Sequence, residues 1–444
     1  MNLISKISFN KSNYFSLLFA LIPISFIAGN MIININIILI IISGFFFYKK
    51  NIFNIKFYLL DKILISYFLF IIFTGTINDF KFYMNEMEWR GYFTTTFISF
   101  LFLKYLFFYF VTRYLIEKNI LELKPFFITC SLGALFVSLD IFFQLIYGKD
   151  IFGYDTSGSG RKLGGPFGDE LIAGGYIQRF SLFAFFIVPI FYKENNKKIS
   201  IMLITMLFII FLLGIIFSGN RMPLILFITS IILVLIFHKQ ARNLLIPCLI
   251  IFSLLFGAIY NFNSKANYNF KTFYFQSKQM INSLTSGNDD ISSGPQYLKE
   301  FSTFYETWRL NKFFGGGIKS FRYYCHQRKN INENFSLNHK NKMVCNMHPH
   351  NYYLEMLTET GLIGFAITIL FFLIIIYITF CKKYFLKTNL NYNNIITPFI
   401  FLLIVEIFPV KSTGSFFTTG NTTYLFLLFS ISVALSRKEI DLKI

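Results

Sequence analysis

About twelve stretches of this chain are apolar for long enough to cross a lipid bilayer, which takes about 17–25 residues per helix. They lie near residues 14–29, 31–48, 62–78, 92–112, 124–147, 171–192, 199–218, 222–238, 243–261, 352–380, 395–410 and 421–436. No other feature constrains the fold as hard. In hydrocarbon every backbone N–H and C=O needs an internal partner, and an open sheet would leave its edges bare, so these runs are helices. The expectation is an all-α polytopic membrane protein. Composition agrees: charged residues make up 14% of the chain and hydrophobic residues 55%, whereas a soluble domain carries roughly a quarter charged residues.

A net charge of +19 raises the question of nucleic acid, but the cations sit mostly in short turns between apolar runs, which is the positive-inside pattern of a membrane protein. With the N-terminus inside, the inner turns are 49–56, the turn holding Arg113, Lys118 and Lys124, then 193–198, 238–243, 381–387 and the tail 436–443, all basic or mixed-basic. The outer segments are 78–90, 149–170, 218–221, about 262–349, and 410–422. This alternation divides the chain into an N-terminal bundle (1–261, about nine helices), one large outer loop (262–349) and a C-terminal set of helices (350–444). A loop that long is usually functional. QYLKEFSTFYETWRLNKFFGG within it has the aromatic spacing of an amphipathic helix with a glycine stop, suited to the membrane interface. Cys325 and Cys345 both lie in this loop; on an oxidising face they either bridge or stand as two separate thiols. Cys130, Cys248 and Cys381 fall in or beside spans as packing residues.

Polar residues gather at the outer ends. In SGNR, Arg221 precedes an apolar run with Pro223 in its first turn, so a guanidinium and free N–H groups share one helix start, an arrangement suited to phosphate unless the arginine only snorkels. His350 stands in His348-Pro349-His350-Asn351 ahead of Glu355 and Glu359; an imidazole beside carboxylates accepts a proton at neutral pH. His-Pro-His is a poor helical chelate with no evident third ligand, so no metal is expected. The stretch 160–179 adds Arg161, Lys162, Asp169, Glu170 and Arg179. Charges entering a span, as Glu170 and Arg179 do, are either a structural ion pair or part of a site.

Several of these segments together resemble one family. In HPHNYYLEMLTETGLIG, the residues His350, Asn351, Leu354, Glu359 and Gly361 fill the His-Asn-x-x-Leu-x-x-x-x-Glu-x-Gly signature of the O-antigen ligase and O-antigen polymerase superfamily. FSGNRMPLILF resembles its Ser-x-x-Arg at an outer helix start, NKFFGGGIKSF its Gly-x-Gly segment in the large loop, and FGDELIAGGYIQR a segment recurring in one subgroup. The resemblance covers roughly residues 160–380. It implies a GT-C-like glycosyltransferase in the bacterial inner membrane, with the loop 262–349 and the active site on the periplasmic side. It further implies a glycan donor linked to undecaprenyl pyrophosphate, a lipid A–core or other glycan acceptor, and no cofactor, metal or nucleotide sugar. Arg221 and His350 would be the catalytic pair, with Arg161, Glu170, Arg179, Lys299, Arg309 and Asn351 binding substrate. One departure stands out: the family's further basic residue before the Gly-x-Gly corresponds here to Tyr297, with Lys299 and Arg309 the nearby cations.

Two rival readings come from other classes. A transporter would suit twelve spans, but matched halves with helices broken at the midplane are not evident. A non-enzymatic scaffold would leave the polar landmarks unexplained. Ligase and polymerase share every feature named so far.

Overall fold

The computed structural model describes residues 10–84, 93–155, 162–191, 197–238, 296–327, 350–386, 395–409, 411 and 414–441, together with scattered positions between 242 and 282 and Cys345. Among these the chain is helical throughout, relieved only by turns and one isolated bridge between Lys149 and Asp155. The principal helices are α1 (Lys11–Ala28), α2 (Asn30–Tyr48), α3 (Leu59–Met84), α4 (Thr94–Glu117), α5 (Lys124–Tyr147), α6 (Ala173–Phe180), α7 (Leu182–Phe191), α8 (Lys197–Phe217) and α9 (Arg221–Phe237). They continue with α10 (Gln296–Trp308), α11 (Tyr352–Ile376), α12 (Ile396–Glu406) and α13 (Thr419–Asp441).

Eight of the described helical stretches are long and apolar enough to span a membrane, fewer than the twelve expected. Three differences account for the gap. The run 171–192 is split at Ser181 into α6 and α7. The runs 222–238 and 395–410 yield the shorter apolar helices α9 and α12, the latter ending at the buried Glu406. Much of 243–261 lies outside the described residues. Counting apolar residues could not foresee a helix that stops early because a charge near its end is paired inside the protein.

α13 is the most enclosed of the described spanning helices. It packs on α4, α12 and α2, and its span is 78% buried, against 33–50% for the other spanning helices. Around it, α1 packs on α2 and α5, α3 on α4 and α11, and α5 on α6, α7 and α8. At the end holding the α3, α4 and α13 residues Asp61, Arg113 and Arg437, the bundle is clamped by charge: Asp61 receives Arg113 at 2.7 Å and Arg437 at 3.2 Å, and Tyr109 donates to it at 2.7 Å. All four side chains are buried, so each charge is tolerated only because it is paired.

At the opposite end α11 is broken. Gly361 adopts φ 65°, ψ −172°, which interrupts the intrahelical ladder and would leave backbone groups unpaired at membrane depth. The glycine loop after α10 takes them up. Gly316 N–H donates to Thr358 O at 3.2 Å and Gly317 N–H to Glu359 O at 2.8 Å, while Leu362 and Ile363 N–H donate to Lys312 O and Phe313 O at 2.8 and 3.2 Å. The approach is so close that a Cβ on Gly315 would lie 2.4 Å from Glu359 O. Asn78 of α3 closes the stitch by donating to Gly315 O at 3.0 Å. The two glycine-containing segments noted in the sequence are thus two halves of one backbone junction.

Candidate active site

Beside this junction the same end of the bundle opens into a cavity of about 910 Å³. Its walls come from the α1–α2 turn, the loop before α6, the start of α9, the residue before α11 and the loop between α12 and α13. Among the described residues four cations line it, namely Lys162, Arg179, Arg221 and Lys411, with His350 and one carboxylate, Glu170.

Each side chain is placed by a local device. Arg221 opens α9, and the residue before it, Asn220, does not cap the helix with its side chain. Instead Asn220 accepts from Gly174 N–H at 3.2 Å and donates to Leu171 O at 3.1 Å, tying the loop before α6 to the start of α9. The N-terminus of α9, with its partial positive charge, therefore faces the cavity without the Asn220 side chain closing it. His350 is held by its neighbour in the chain. Asn351 caps α11, accepting from Tyr353 and Leu354 N–H at 2.9 and 3.2 Å, and its amide donates to Pro409 O at 2.8 Å and Lys411 O at 3.3 Å. One asparagine thereby fixes both the start of α11 and the loop that carries Lys411. It is buried and acts on the cavity through its neighbours.

Glu355, one turn into α11, also serves that loop: it accepts from Ser415 Oγ and Phe416 N–H. Glu359 is fully buried one turn further on. Neither carboxylate lines the cavity.

Arg179 lies at the cavity wall in a network that the sequence did not announce. Its Nη2 donates to Glu406 Oε1 at 2.7 Å and to Asn421 Oδ1 at 2.6 Å, and its guanidinium lies 4.9 Å from the centre of the Tyr424 ring. The same Glu406 oxygen receives Tyr352 OH at 2.8 Å and Lys411 Nζ, and Lys411 Nζ lies 3.1 Å from Tyr352 OH. Burial holds the Lys411 ammonium well below the usual lysine range, at about 8, even though Glu406 beside it favours the charge.

The structure thus brings Arg221, His350, Arg179 and Glu170 to one cavity. Arg309 is exposed and is not among the lining residues. Lys299 falls within α10, but its side chain lies outside the described residues, as do Arg161 and His348. Cys325 and Cys345 are joined, with S–S 2.03 Å and Cα–Cα 5.7 Å. The bridge packs with Phe304 and Phe321, whose rings stack 3.6 Å apart, and so ties α10 to the chain leading into His350. Sequence reasoning missed Glu406, Lys411 and Tyr352. A carboxylate ending an apolar run, five residues before a lysine, was the available signal. Among the described residues no group of three or more His, Cys, Asp or Glu side chains is arranged to hold a metal ion.

An arginine at one helix start, a histidine at the next, and a polar cavity at the end of a membrane bundle agree with what a comparison with known families returns. No curated protein matches the chain. Residues 206–369, which run from α8 through the glycine junction to α11, match the family described as O-antigen ligase, so this part of the chain is similar to that family.

Proposed function

We propose that this protein transfers a glycan from undecaprenyl pyrophosphate to an acceptor hydroxyl, with lipid A–core as the acceptor in the ligase reading, at the periplasmic face of the inner membrane. The observation that carries the reading is the join between two unlike cavities. The polar cavity with its four cations borders, at the shared residues Ile27, Tyr154 and Pro166, a groove of about 680 Å³ between α1 and α5. That groove is lined by Ile24, Leu132, Phe136 and Phe152, all exposed on the flank of the bundle. A substrate suited to both is an anion on a long apolar tail. A small polar solute would have no use for the groove, which disfavours the carrier reading.

The chemistry follows from the groups at hand. The acceptor oxygen attacks the anomeric carbon, the bond from that carbon to the diphosphate oxygen breaks, and the acceptor proton passes to His350. A diphosphate leaves well once its growing charge is met by fixed cations, and Arg221 at the start of α9 supplies a planar two-point contact as well as charge. His350 takes that proton as the general base. Glycan transfer by purified protein in proteoliposomes supplied with a lipid-linked donor tests the reading; His350→Ala should stop it while the protein remains inserted, and transfer at the wild-type rate would refute it. Ligase and polymerase separate in a deletion strain: ligase loss strips all O-antigen from core, and polymerase loss leaves single repeats attached.

A further inference from the structure

Glu406 poses a question of charge. It is fully buried at the end of α12, yet two cations, Arg179 and Lys411, converge on its single oxygen Oε1. One cation would neutralise it. The second leaves a formal surplus of one positive charge in a setting where the surrounding groups, Tyr352, Tyr424 and Asn421, are uncharged. An uncompensated buried charge is costly, and an anion in the cavity would offset it. The open side is known: Arg179 and Lys411 both line the cavity. Arg221 enters the same cavity from a different element, at the start of α9. The cavity therefore offers two separate positive loci, one a single arginine at a helix start and the other a pair of cations sharing one carboxylate.

We infer that Lys411 is a substrate-binding residue: together with Arg179, and held in place by Glu406, it binds one phosphoryl group of a lipid-linked diphosphate while Arg221 binds the other. The inference rests on the donor reading above and adds to it the residue that distinguishes a diphosphate from a monophosphate. Glu406 and Tyr352 are positioning residues. They keep the ammonium aimed at the cavity wall, and Asn351 fixes the backbone that carries it by donating to Lys411 O.

The test measures binding of undecaprenyl diphosphate and undecaprenyl monophosphate to the full-length protein in nanodiscs. Wild type should prefer the diphosphate. Lys411→Met should weaken diphosphate binding about tenfold or more, the loss expected for one charged hydrogen bond, and weaken monophosphate binding less, because a single phosphate can fall back on Arg221. Lys411→Arg should restore most of the preference. Equal weakening for both lipids would make Lys411 a prop of the cavity wall and overturn the inference, as would unchanged diphosphate binding. Should Lys411→Met fail to fold, the wild-type protein still decides. Acylation of Lys411 by an amine-reactive ester, followed by mass spectrometry, should be slowed more by saturating diphosphate than by monophosphate; a rate indifferent to diphosphate overturns the inference. Wild type that binds no diphosphate at all defeats the donor reading and this inference with it, whereas a binding wild type beside an equally binding Lys411→Met defeats this inference alone.

Discussion

Gly315→Ala should unfasten the glycine junction, and the cost can be worked from its geometry. Gly315 sits at φ +72°, where an L-residue is strained by about 1–2 kcal/mol. The added Cβ would lie 2.4 Å from both Glu359 O and Gly361 N. These are backbone atoms of a membrane helix, so no rotamer change relieves the clash and the two strands of the junction must part. Four backbone hydrogen bonds cross that seam. Leaving even two of them unmade in a buried setting costs about 1–3 kcal/mol each. The total is at least about 3 kcal/mol, a large part of the 5–15 kcal/mol that typically separates folded from unfolded protein. Since membrane proteins commonly unfold irreversibly, the readout is the half-life of the detergent-purified protein at a fixed elevated temperature, which should fall at least tenfold. Gly316→Ala is the control. Its Cβ would meet Ser320 Oγ at 2.3 Å and the Tyr324 ring at 2.6 Å, side chains that can swing aside, so its loss should be smaller. Equal half-lives for Gly315→Ala and wild type would show that the seam does not hold the two segments together.

His350→Ala should lower glycan transfer by about two to four orders of magnitude, the usual contribution of a general base, measured by single-turnover transfer in proteoliposomes. Arg221→Lys keeps the charge but loses the planar fork, and its transfer rate should drop by about two to three orders of magnitude in the same assay. Replacing Cys325 and Cys345 together by serine removes a link spanning 20 residues and should cost about 3 kcal/mol, read as a shorter half-life that a reducing agent reproduces in wild type. For Lys411 the two signs differ. Its folded-state pKa is lowered to about 8 from 10.5, so the unfolded chain binds more protons between those values and this group makes stability rise with pH across that window. Diphosphate affinity should instead fall as pH rises through about 8, because the ammonium discharges beside Glu406, Arg179 and Tyr352; Lys411→Arg should abolish that fall, and an unchanged profile would remove Lys411 from the binding account.

The helical class and the polar residues at helix ends could be read from the sequence because membrane insertion writes both plainly: apolar length gives the helix, and a charge at its end stands out against it. Arg221 and His350 were visible for that reason. The Glu406 network was not, because pairing between residues 179, 406 and 411 is a fact of packing with no local spacing to betray it. Asn351 was expected to touch substrate, and its burial as a cap shows how a short polar side chain next to a site residue can be read either way until its partners are known. The break in α11 was equally hidden: Gly361 inside an apolar run is tolerated in membrane helices, and only the loop 312–317 lying against it shows that the run is discontinuous.

The placement of α13 bears on how the chain is made. Every other described helix precedes it, yet it is the helix with the largest share of its span enclosed. A ribosome feeding this chain into the membrane must therefore deliver α2, α4 and α12 before the helix that packs on them exists. Until α13 arrives, faces such as those of Tyr105 on α4 and Phe180 on α6, which in the finished bundle meet Phe426 and Tyr424, have only lipid or one another to contact, and Asp61 and Arg113 lack Arg437. The earlier helices therefore keep those faces on lipid or on one another until α13 inserts and covers them. A chain released before α13 would leave those aromatic faces and the Asp61–Arg113 pair uncovered, a natural substrate for membrane quality control.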